Sequence, residues 1–235
     1  MYIPYLPKEK ASLFIADCKI ENATVITPPP IASLPYSMRR HADLGICIIS
    51  EKTAVCPPDT CAYYNNVLSR YGYRIIEGKK SIGSNYPKDC AYNVGIVGKR
   101  CFMKKSACDS ILLEELIKAG MEIVNVNQGY SKCSLCALDE NTIITADESI
   151  KKAAEGLGMK VFFTSNKGIV LEGFQNGFIG GCLGKLDAKT LLSHGNLSML
   201  EEGNTLLKNL NKNGFEVKSI KEGDVIDIGS VIPLM

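Results

Sequence analysis

Apolar residues recur along the chain at helical spacing, and four of these stretches end at a glycine that is followed at once by an apolar residue and a strand-like run. A glycine suits the left-handed residue just past a helix end, and the apolar residue after it packs back on the last turn. The pattern therefore predicts four helices, each followed directly by a strand. The four junctions are Tyr71-Gly72-Tyr73, Ala119-Gly120-Met121, Leu157-Gly158-Met159 and Asn213-Gly214-Phe215.

A second pattern recurs in step with the first: a short polar residue, or a cysteine, opens a run of small and apolar residues. The first opening belongs to an N-terminal module whose leading strand is expected at Ser12 to Ile20. Helix-glycine-strand junctions are common in all α/β proteins, but the matched openings favour a true repeat. The five openings are Asp43-LGICII, Asn93-VGIVG, Cys133-SLCAL, Asn176-GFIGG and Asp227-IGSVI.

Together the two patterns predict an α/β fold of five ββαβ modules joined by four helices. No low-complexity linker separates the modules, so we expect one domain over residues 1–235. If the modules stand around a ring, the strands that follow the five openings lie near its axis, and the opening residues converge at one end. Such convergent strand ends are where scaffolds usually carry their chemistry.

The amino-acid composition limits the classes of molecule that the protein is expected to bind and the compartment in which it is expected to lie. The net charge is +2 and no basic run exceeds two residues, so nucleic acid is not expected as a partner. No apolar run approaches the roughly 20 residues of a membrane span. The N-terminus MYIPYLPKEKASLF does not resemble a secretory signal. We therefore expect a cytoplasmic protein whose ten cysteines are mostly free, buried thiols.

The segment His41-Ala42-Asp43, followed by an apolar strand, is similar to the His-x-Asp-then-strand element of the pentein, or guanidine-modifying-enzyme, superfamily. The resemblance implies a five-bladed α/β propeller of ββαβ units, the fold of arginine and agmatine deiminases, dimethylarginine dimethylaminohydrolases and amidinotransferases. In those enzymes the histidine transfers protons, the aspartate binds the substrate guanidinium and a cysteine is the nucleophile.

The cysteine of those enzymes follows the histidine by two modules, as Cys133 follows His41 here, and Glu222 to Asp227 resembles their acidic element. Their cysteine lies near the C-terminus, however, so this chain would be a circular permutation or a branch that opened the ring elsewhere. The segment QGYSKCSLCAL around Cys133 also differs from the glycine- and histidine-bearing segments typical of the enzymes.

The chemistry implied is attack of a thiolate on an amidine or guanidine carbon, followed by hydrolysis of the adduct or its transfer to an amine. Carboxylates hold the nitrogens protonated, and a histidine protonates the leaving amine. The predicted catalytic residues are Cys133 and His41, with Lys132 favouring the thiolate. The substrate is expected to be a small guanidinium or amidine cation, and neither a cofactor nor a metal is expected. The predicted substrate-binding residues are Asp43, Asp227, Glu172, Asn176 and Asn93.

Each candidate also has a structural interpretation. His41 could cap the adjacent strand, Cys133 could be a buried inert thiol, and the two aspartates could bond nearby backbone amides. His194 is interpreted as a structural or solvated loop residue.

Two local motifs are not expected to form a metal, redox or phosphate-binding site. Cys133-x-x-Cys136 is a single pair without the second pair that a typical zinc site would have. The glycines from Gly177 to Gly184 do not match a phosphate-binding loop and are expected to allow tight packing at the ring centre.

Two other classes of function remain open. The first is a non-enzymatic binding protein on the same scaffold, similar to the ribosomal anti-association factors. The second is a domain that has lost activity and serves assembly or ligand sensing. A binding protein needs no thiol at the mouth of the ring, so the set of Cys, His and carboxylates around the axis separates these classes from the enzymes.

The cysteine content gives a first testable prediction. Thiol titration of the denatured, unreduced protein should find about ten free thiols, because a reducing compartment does not sustain structural disulfides. Mostly paired cysteines would overturn the assignment to the cytoplasm.

Overall fold

The computed structural model describes residues 4–235, and these residues form five three-stranded sheets. The strands are β1 (Leu13–Ile15), β2 (Thr24–Ile26), β3 (Cys47–Ser50), β4 (Thr53–Cys56), β5 (Arg74–Glu77), β6 (Gly95–Val97), β7 (Arg100–Met103), β8 (Glu122–Asn125), β9 (Leu135–Asp139), β10 (Thr142–Thr145), β11 (Lys160–Phe163), β12 (Leu183–Lys185), β13 (Thr190–His194), β14 (Glu216–Lys221) and β15 (Ile232–Leu234). The helices are α1 (Ala42–Gly45), α2 (Pro58–Leu68), α3 (Ser110–Lys118), α4 (Ser131–Ser134), α5 (Glu148–Gly156) and α6 (Gly203–Lys212).

Four of the sheets share one topology. A first strand pairs antiparallel with a second, a helix of nine or more residues follows, and the third strand returns parallel to the second. These are ββαβ modules, with α2, α3, α5 and α6 as their helices. The predicted five-module α/β architecture with four connecting helices is therefore confirmed.

The four predicted helix ends also form as expected. Each junction glycine has φ between 71° and 79°, and each following apolar residue donates its N–H to a carbonyl five residues back. This is the Schellman arrangement, in which the chain leaves the helix and enters the third strand at once. The four N–H to C=O bonds are Tyr73 to Leu68, Met121 to Leu116, Met159 to Ala154 and Phe215 to Leu210.

The first sheet is assembled from both ends of the described chain. Strand β15 pairs antiparallel with β1, and β1 pairs parallel with β2, so the C-terminal strand supplies the position that the first strand holds in the other sheets. We call β3, β6, β9, β12 and β15 the inner strands. Neighbouring inner strands from β6 through β15 contact one another in order, and Ile48, Ile96 and Ile232 share one hydrophobic cluster. These contacts close the five sheets into a ring.

Three predicted strand positions need correction. The leading strand spans only Leu13–Ile15. The chain then loops through Asn22, which has φ 57°, and enters β2, which pairs parallel with β1. Asn176 does not open its inner strand, since a 3-10 turn at Ile179–Cys182 intervenes before β12. Likewise β15 begins five residues after Asp227, because Gly229 and Ser230 both have positive φ and cannot continue an extended strand.

The state of the cysteines and the hydrophobicity of the helices relate to the expectations about disulfides and membrane spans. All ten cysteines are free thiols, and eight of them are buried. Within residues 4–235, no helix combines the length and the apolar character needed to cross a membrane.

Two glycines at the end of α5 give a matched test of the helix-end assignment. Gly158 has φ 71°, and Gly156 lies inside the last helical turn; a methyl group added to either one would contact nothing within 4 Å. Gly158→Ala should therefore lower the free energy of unfolding by about 1 kcal/mol through backbone strain alone. Gly156→Ala should raise it by up to about 1 kcal/mol.

Urea denaturation of the two variants measures both changes. Opposite signs support the assignment. Equal effects would show that the left-handed turn at Gly158 does not limit stability.

Candidate active site

Short helical turns precede three of the inner strands, β3, β9 and β12, and bring distant parts of the chain together. Helix α4 leads into β9, and the 3-10 turn Ile179–Cys182 lies directly against it. Gly180 permits this contact, since a Cβ there would lie 2.6 Å from the carbonyl oxygens of Lys132 and Cys133. The expectation that the glycine run from Gly177 to Gly184 allows close packing at the ring centre is confirmed.

Cys133, Asp43 and Asn93 form the centre of the site. The Cys133 thiol donates to Asp43 Oδ2 with Sγ and oxygen 3.1 Å apart. The amide nitrogen of Asn93 donates to Cys133 Sγ at 3.1 Å and to the Asp43 carbonyl at 3.0 Å. Its Oδ1 accepts the backbone N–H groups of Lys132 and Cys133 at 2.7 and 3.2 Å. Asn93 thus uses its side chain to fix the thiol beside the carboxylate.

Ser230 and Lys132 extend this centre on one side. The Ser230 hydroxyl lies 2.6 Å from Asp43 Oδ2, and it accepts a hydrogen bond from Lys132 Nζ at 3.1 Å. The Lys132 ammonium also lies 5.3 Å from the centre of the Tyr5 ring. Both residues are buried, so an ammonium group and a carboxylate are joined through one hydroxyl inside the protein.

His41 and Asp227 form the other side. His41 Nδ1 lies 3.9 Å from Asp227 Oδ1, and both side chains are buried. Asp227 accepts the N–H groups of Phe178 at 2.8 Å and Gly229 at 3.0 Å. The backbone N–H of Asp43 donates to the Gly229 carbonyl at 3.2 Å, which connects this side to the centre.

Two predicted site residues lie apart from this cluster. Asn176 is half-buried, and its Oδ1 accepts the N–H of Gly168 at 3.3 Å in a local loop. Glu172 is exposed, and its backbone carbonyl accepts a hydrogen bond from the Ser37 hydroxyl. The position after β11 that a polar opening was expected to fill is held instead by Gly180 and Gly181, which face Cys133 and Asp227.

Ser230 is the residue of the cluster that the sequence patterns did not single out. It lies three residues beyond the opening residue Asp227, where a pattern of strand openings has no reason to place a functional group. Lys132 was noted only as a neighbour of Cys133, whereas its ammonium is directed to Ser230. A serine in a run of glycine and apolar residues is the only sequence signal, and it is a weak one.

The electrostatic environment keeps the Cys133 thiol protonated. Burial raises the pKa of Cys133 well above its ordinary value, and the carboxylates of Asp43 and Asp227 raise it further. The hydrogen bond from Asn93 opposes this rise and is outweighed. The net effect is a raised pKa, so the expectation that Lys132 would favour the thiolate is not met. The Lys132 ammonium donates to Ser230. Burial also raises the pKa of Asp227, an effect that the nearby His41 opposes.

Several polar atoms of the cluster have no hydrogen-bond partner among residues 4–235. They are both ring nitrogens of His41 and Oδ1 of Asp43. Buried polar atoms are normally paired, so these atoms are suited to meet a bound ligand. No group of three or more His, Cys, Asp or Glu side chains among the described residues has the arrangement of a metal site.

The charge of Asp43 gives a testable prediction about the thiol. Asp43→Asn removes one of the anions that raise the pKa of Cys133, and the new amide nitrogen can take the place of the unpartnered Oδ1. The rate of Cys133 alkylation by neutral iodoacetamide should therefore rise severalfold at a given alkaline pH, and the pH profile should move to lower pH. Peptide mass mapping over a pH series measures both.

Glu172→Gln serves as the control, since it removes an exposed carboxylate outside the cluster. An equal shift in this variant, or no shift in Asp43→Asn, would show that Asp43 does not set the protonation of the thiol.

Comparison with solved structures establishes the fold. The chain is similar to the amidinotransferase SxtG of the saxitoxin biosynthetic pathway from Microseira wollei, with a TM-score of 0.57 and 11% identity over 93% of this chain and 91% of that one. It is similar to DDAH from Pseudomonas aeruginosa, a cysteine-to-serine mutant complexed with citrulline, with a TM-score of 0.57 and 12% identity over 95% and 97%. It is also similar to the inosamine-phosphate amidinotransferase of Streptomyces griseus, with a TM-score of 0.56 and 11% identity over 91% and 76%. The predicted pentein architecture is confirmed.

Comparison of sequences places the chain more narrowly. No curated protein is significantly similar to it in sequence. The model of one protein family, described as a family of unknown function (DUF6873), matches residues 9–232. The chain belongs to this family, and it has the pentein fold.

Proposed function

We propose that this protein acts on a small guanidinium or amidinium compound through a covalent adduct on Cys133, as a hydrolase or an amidinotransferase. The observation that carries the proposal is the way Asp43 uses its two oxygens. Oδ2 accepts the Cys133 thiol at 3.1 Å, whereas Oδ1 is buried without a partner in the described part of the chain. A substrate N–H bound to Oδ1 would bring its amidine carbon next to the sulfur.

The charges of the site favour a cationic ligand. Asp43 and Asp227 are both buried and both raise the pKa of Cys133, so each lies close enough to act on the thiol. A guanidinium or amidinium group pairs with carboxylates through charge-assisted hydrogen bonds. Its positive charge would also oppose the two anions and lower the pKa of the thiol, so that binding of the substrate would generate the nucleophile.

The bond changes can be assigned to groups of the cluster. The Cys133 proton passes to Asp43 Oδ2, and the sulfur forms a bond to the amidine carbon as the substrate π electrons move to nitrogen. The C–N bond to the leaving amine then breaks, and the imidazolium form of His41, whose ring nitrogens make no hydrogen bond within residues 4–235, supplies the proton to that amine. Water or an acceptor amine then attacks the resulting S-linked adduct and gives a proton to His41. The C–S bond breaks, and the sulfur takes its proton back from Asp43.

The fold supports this chemistry without assigning it. The structural relatives of this chain include two amidinotransferases, a DDAH with citrulline bound and an agmatine deiminase. Their named activities concern amidino groups and compounds derived from arginine. Fold alone does not fix function, so the proposal depends on the contacts of Cys133 and Asp43.

A second candidate function is non-catalytic binding of the same class of cation. The observation that favours it is the state of the thiol, which is only 2% exposed and has a raised pKa. A binding protein would use the two carboxylates and leave the thiol protonated. The two functions differ in whether bound cation activates Cys133, and this difference can be measured directly.

The reagent 2-chloroacetamidine carries an amidinium group and alkylates thiols, and it should label Cys133 faster than the other nine cysteines. Its cation would bind Asp43 and activate the adjacent sulfur. Asp227→Asn should slow this labelling more than labelling by neutral iodoacetamide, since it removes a carboxylate from the site. His41→Ala should slow labelling as well. Peptide mass mapping against time measures each rate.

Cys136→Ser is the matched control, because Cys136 is equally buried three residues further on and bonds only a backbone carbonyl. This substitution should leave the labelling of Cys133 unchanged. Labelling of several cysteines at similar rates, or protection of Cys133 by guanidinium without any alkylation, would favour the binding protein.

A further inference from the structure

Ser230 has the surroundings of a reacting hydroxyl. Its Oγ lies 2.6 Å from Asp43 Oδ2, 3.0 Å from the Gly180 carbonyl and 3.1 Å from Lys132 Nζ. The residue is fully buried. A hydroxyl has one proton to donate, and the shorter distance places it on the bond to Asp43. The Lys132 ammonium can only donate hydrogen bonds, and it donates one to Ser230 Oγ from the other side.

The backbone at Ser230 is strained. Its φ is 74°, a left-handed conformation that costs an L-residue about 1–2 kcal/mol. Within residues 4–235, glycine holds ten positions with positive φ, including Gly229 directly before it, and other residues hold three, namely Tyr5, Asn22 and Ser230. Of these three, Ser230 lies in the candidate site. Strain of this kind is retained where the side chain has a role that glycine cannot fill.

We propose that Ser230 is a second nucleophile of this site, with Asp43 as its base and the Lys132 ammonium as the group that stabilises its alkoxide. The proposal takes its substrate class, an amidinium or guanidinium carbon, from the proposed function. Its activation depends only on Lys132, Asp43 and Ser230, and not on Cys133.

The step balances without a further reactant. The Ser230 proton passes to Asp43 Oδ2, Oγ forms a bond to the amidine carbon, and the C–N bond to the leaving amine breaks. The amine takes the proton back from Asp43. The product is an oxygen-linked isouronium group on Ser230 and a free amine, which water can later resolve.

The geometry distinguishes the two nucleophiles. Both the Cys133 thiol and the Ser230 hydroxyl donate to the same oxygen of Asp43, so Asp43 can accept a proton from only one of them at a time. Within the cluster, Lys132 Nζ donates a hydrogen bond to Ser230 Oγ. Because an ammonium group stabilises a developing oxyanion, Lys132 favours reaction at oxygen.

Methanesulfonyl fluoride tests the serine independently of amidine chemistry. Ser230 Oγ would form the O–S bond as the S–F bond breaks, fluoride leaves and the proton passes to Asp43. Peptide mass mapping should find the sulfonyl group on Ser230 and none on Ser134, a buried serine whose hydroxyl has no partner among the described residues. Cys133→Ala should remain labelled at Ser230, which separates this proposal from the one for the thiol.

Variants of the neighbouring groups test the assigned roles. Lys132→Met should slow labelling by about 10²-fold, the usual effect of losing one group that stabilises an oxyanion. Lys185→Met is the matched control, since Lys185 is also buried but donates to the Ala188 carbonyl at 2.9 Å outside the cluster. It should label at the rate of the unchanged protein.

The variant Ser230→Gly tests whether the label can be lost while the protein stays folded, because glycine accepts a φ of 74° without strain. This variant should keep its thermal unfolding midpoint and lose the label. The proposal is overturned if Ser230 stays unlabelled in the folded protein. It is equally overturned if Lys132→Met and Lys185→Met label at the same rate.

Discussion

The pairing of the last strand with the first is the interaction on which the site depends. Strand β15 fills the inner position of the sheet that β1 and β2 begin, and this closes the ring. The same pairing fixes the segment just before β15, so that Ser230 reaches Asp43 across 187 positions of sequence and Lys132 across 98. Without this pairing, nothing would hold Asp227 and Ser230 against the residues that precede the inner strands of the other sheets.

Glycine backbone holds the polar side chains of the cluster in place. A Cβ at Gly180 would collide with the carbonyls of α4, and one at Gly181 or Gly229 would collide with Asp227 or His41. The backbone N–H groups of Ile228 and Ser230 both donate to the Gly181 carbonyl. These two hydrogen bonds fix the position of the segment from Ile228 to Ser230. The side chains are therefore positioned before any ligand binds, which is the condition for an electrostatic site to act without reorganising.

Much of the fold could be predicted because it follows from local chemistry. The junction glycines have left-handed φ for reasons contained within a few residues. The opening residues Asp43, Asn93 and Cys133 each lie in a turn next to an inner strand. These three residues lie together in the cluster. Asn176 fails because the 3-10 turn at Ile179–Cys182 moves the opening downstream, and no local signal marks that insertion. The Lys132 side chain likewise donates to Ser230, a residue 98 positions away in the sequence, and no local pattern predicts this contact.

The cost of the buried charges bears on what the cluster is for. Desolvation raises the pKa values of Cys133 and Asp227, so burial here opposes ionisation and does not serve it. Replacing such groups by apolar side chains of similar size is often neutral or stabilising, which means that a need for stability does not account for them. The atoms of His41 and Asp43 that have no hydrogen-bond partner within residues 4–235 are available to a ligand. A bound cation would satisfy Asp43 Oδ1 and offset the excess of carboxylate charge around the thiol. Under the proposed function, such a cation would lower the raised pKa of Cys133, so that the thiol would ionise only when the cation is bound.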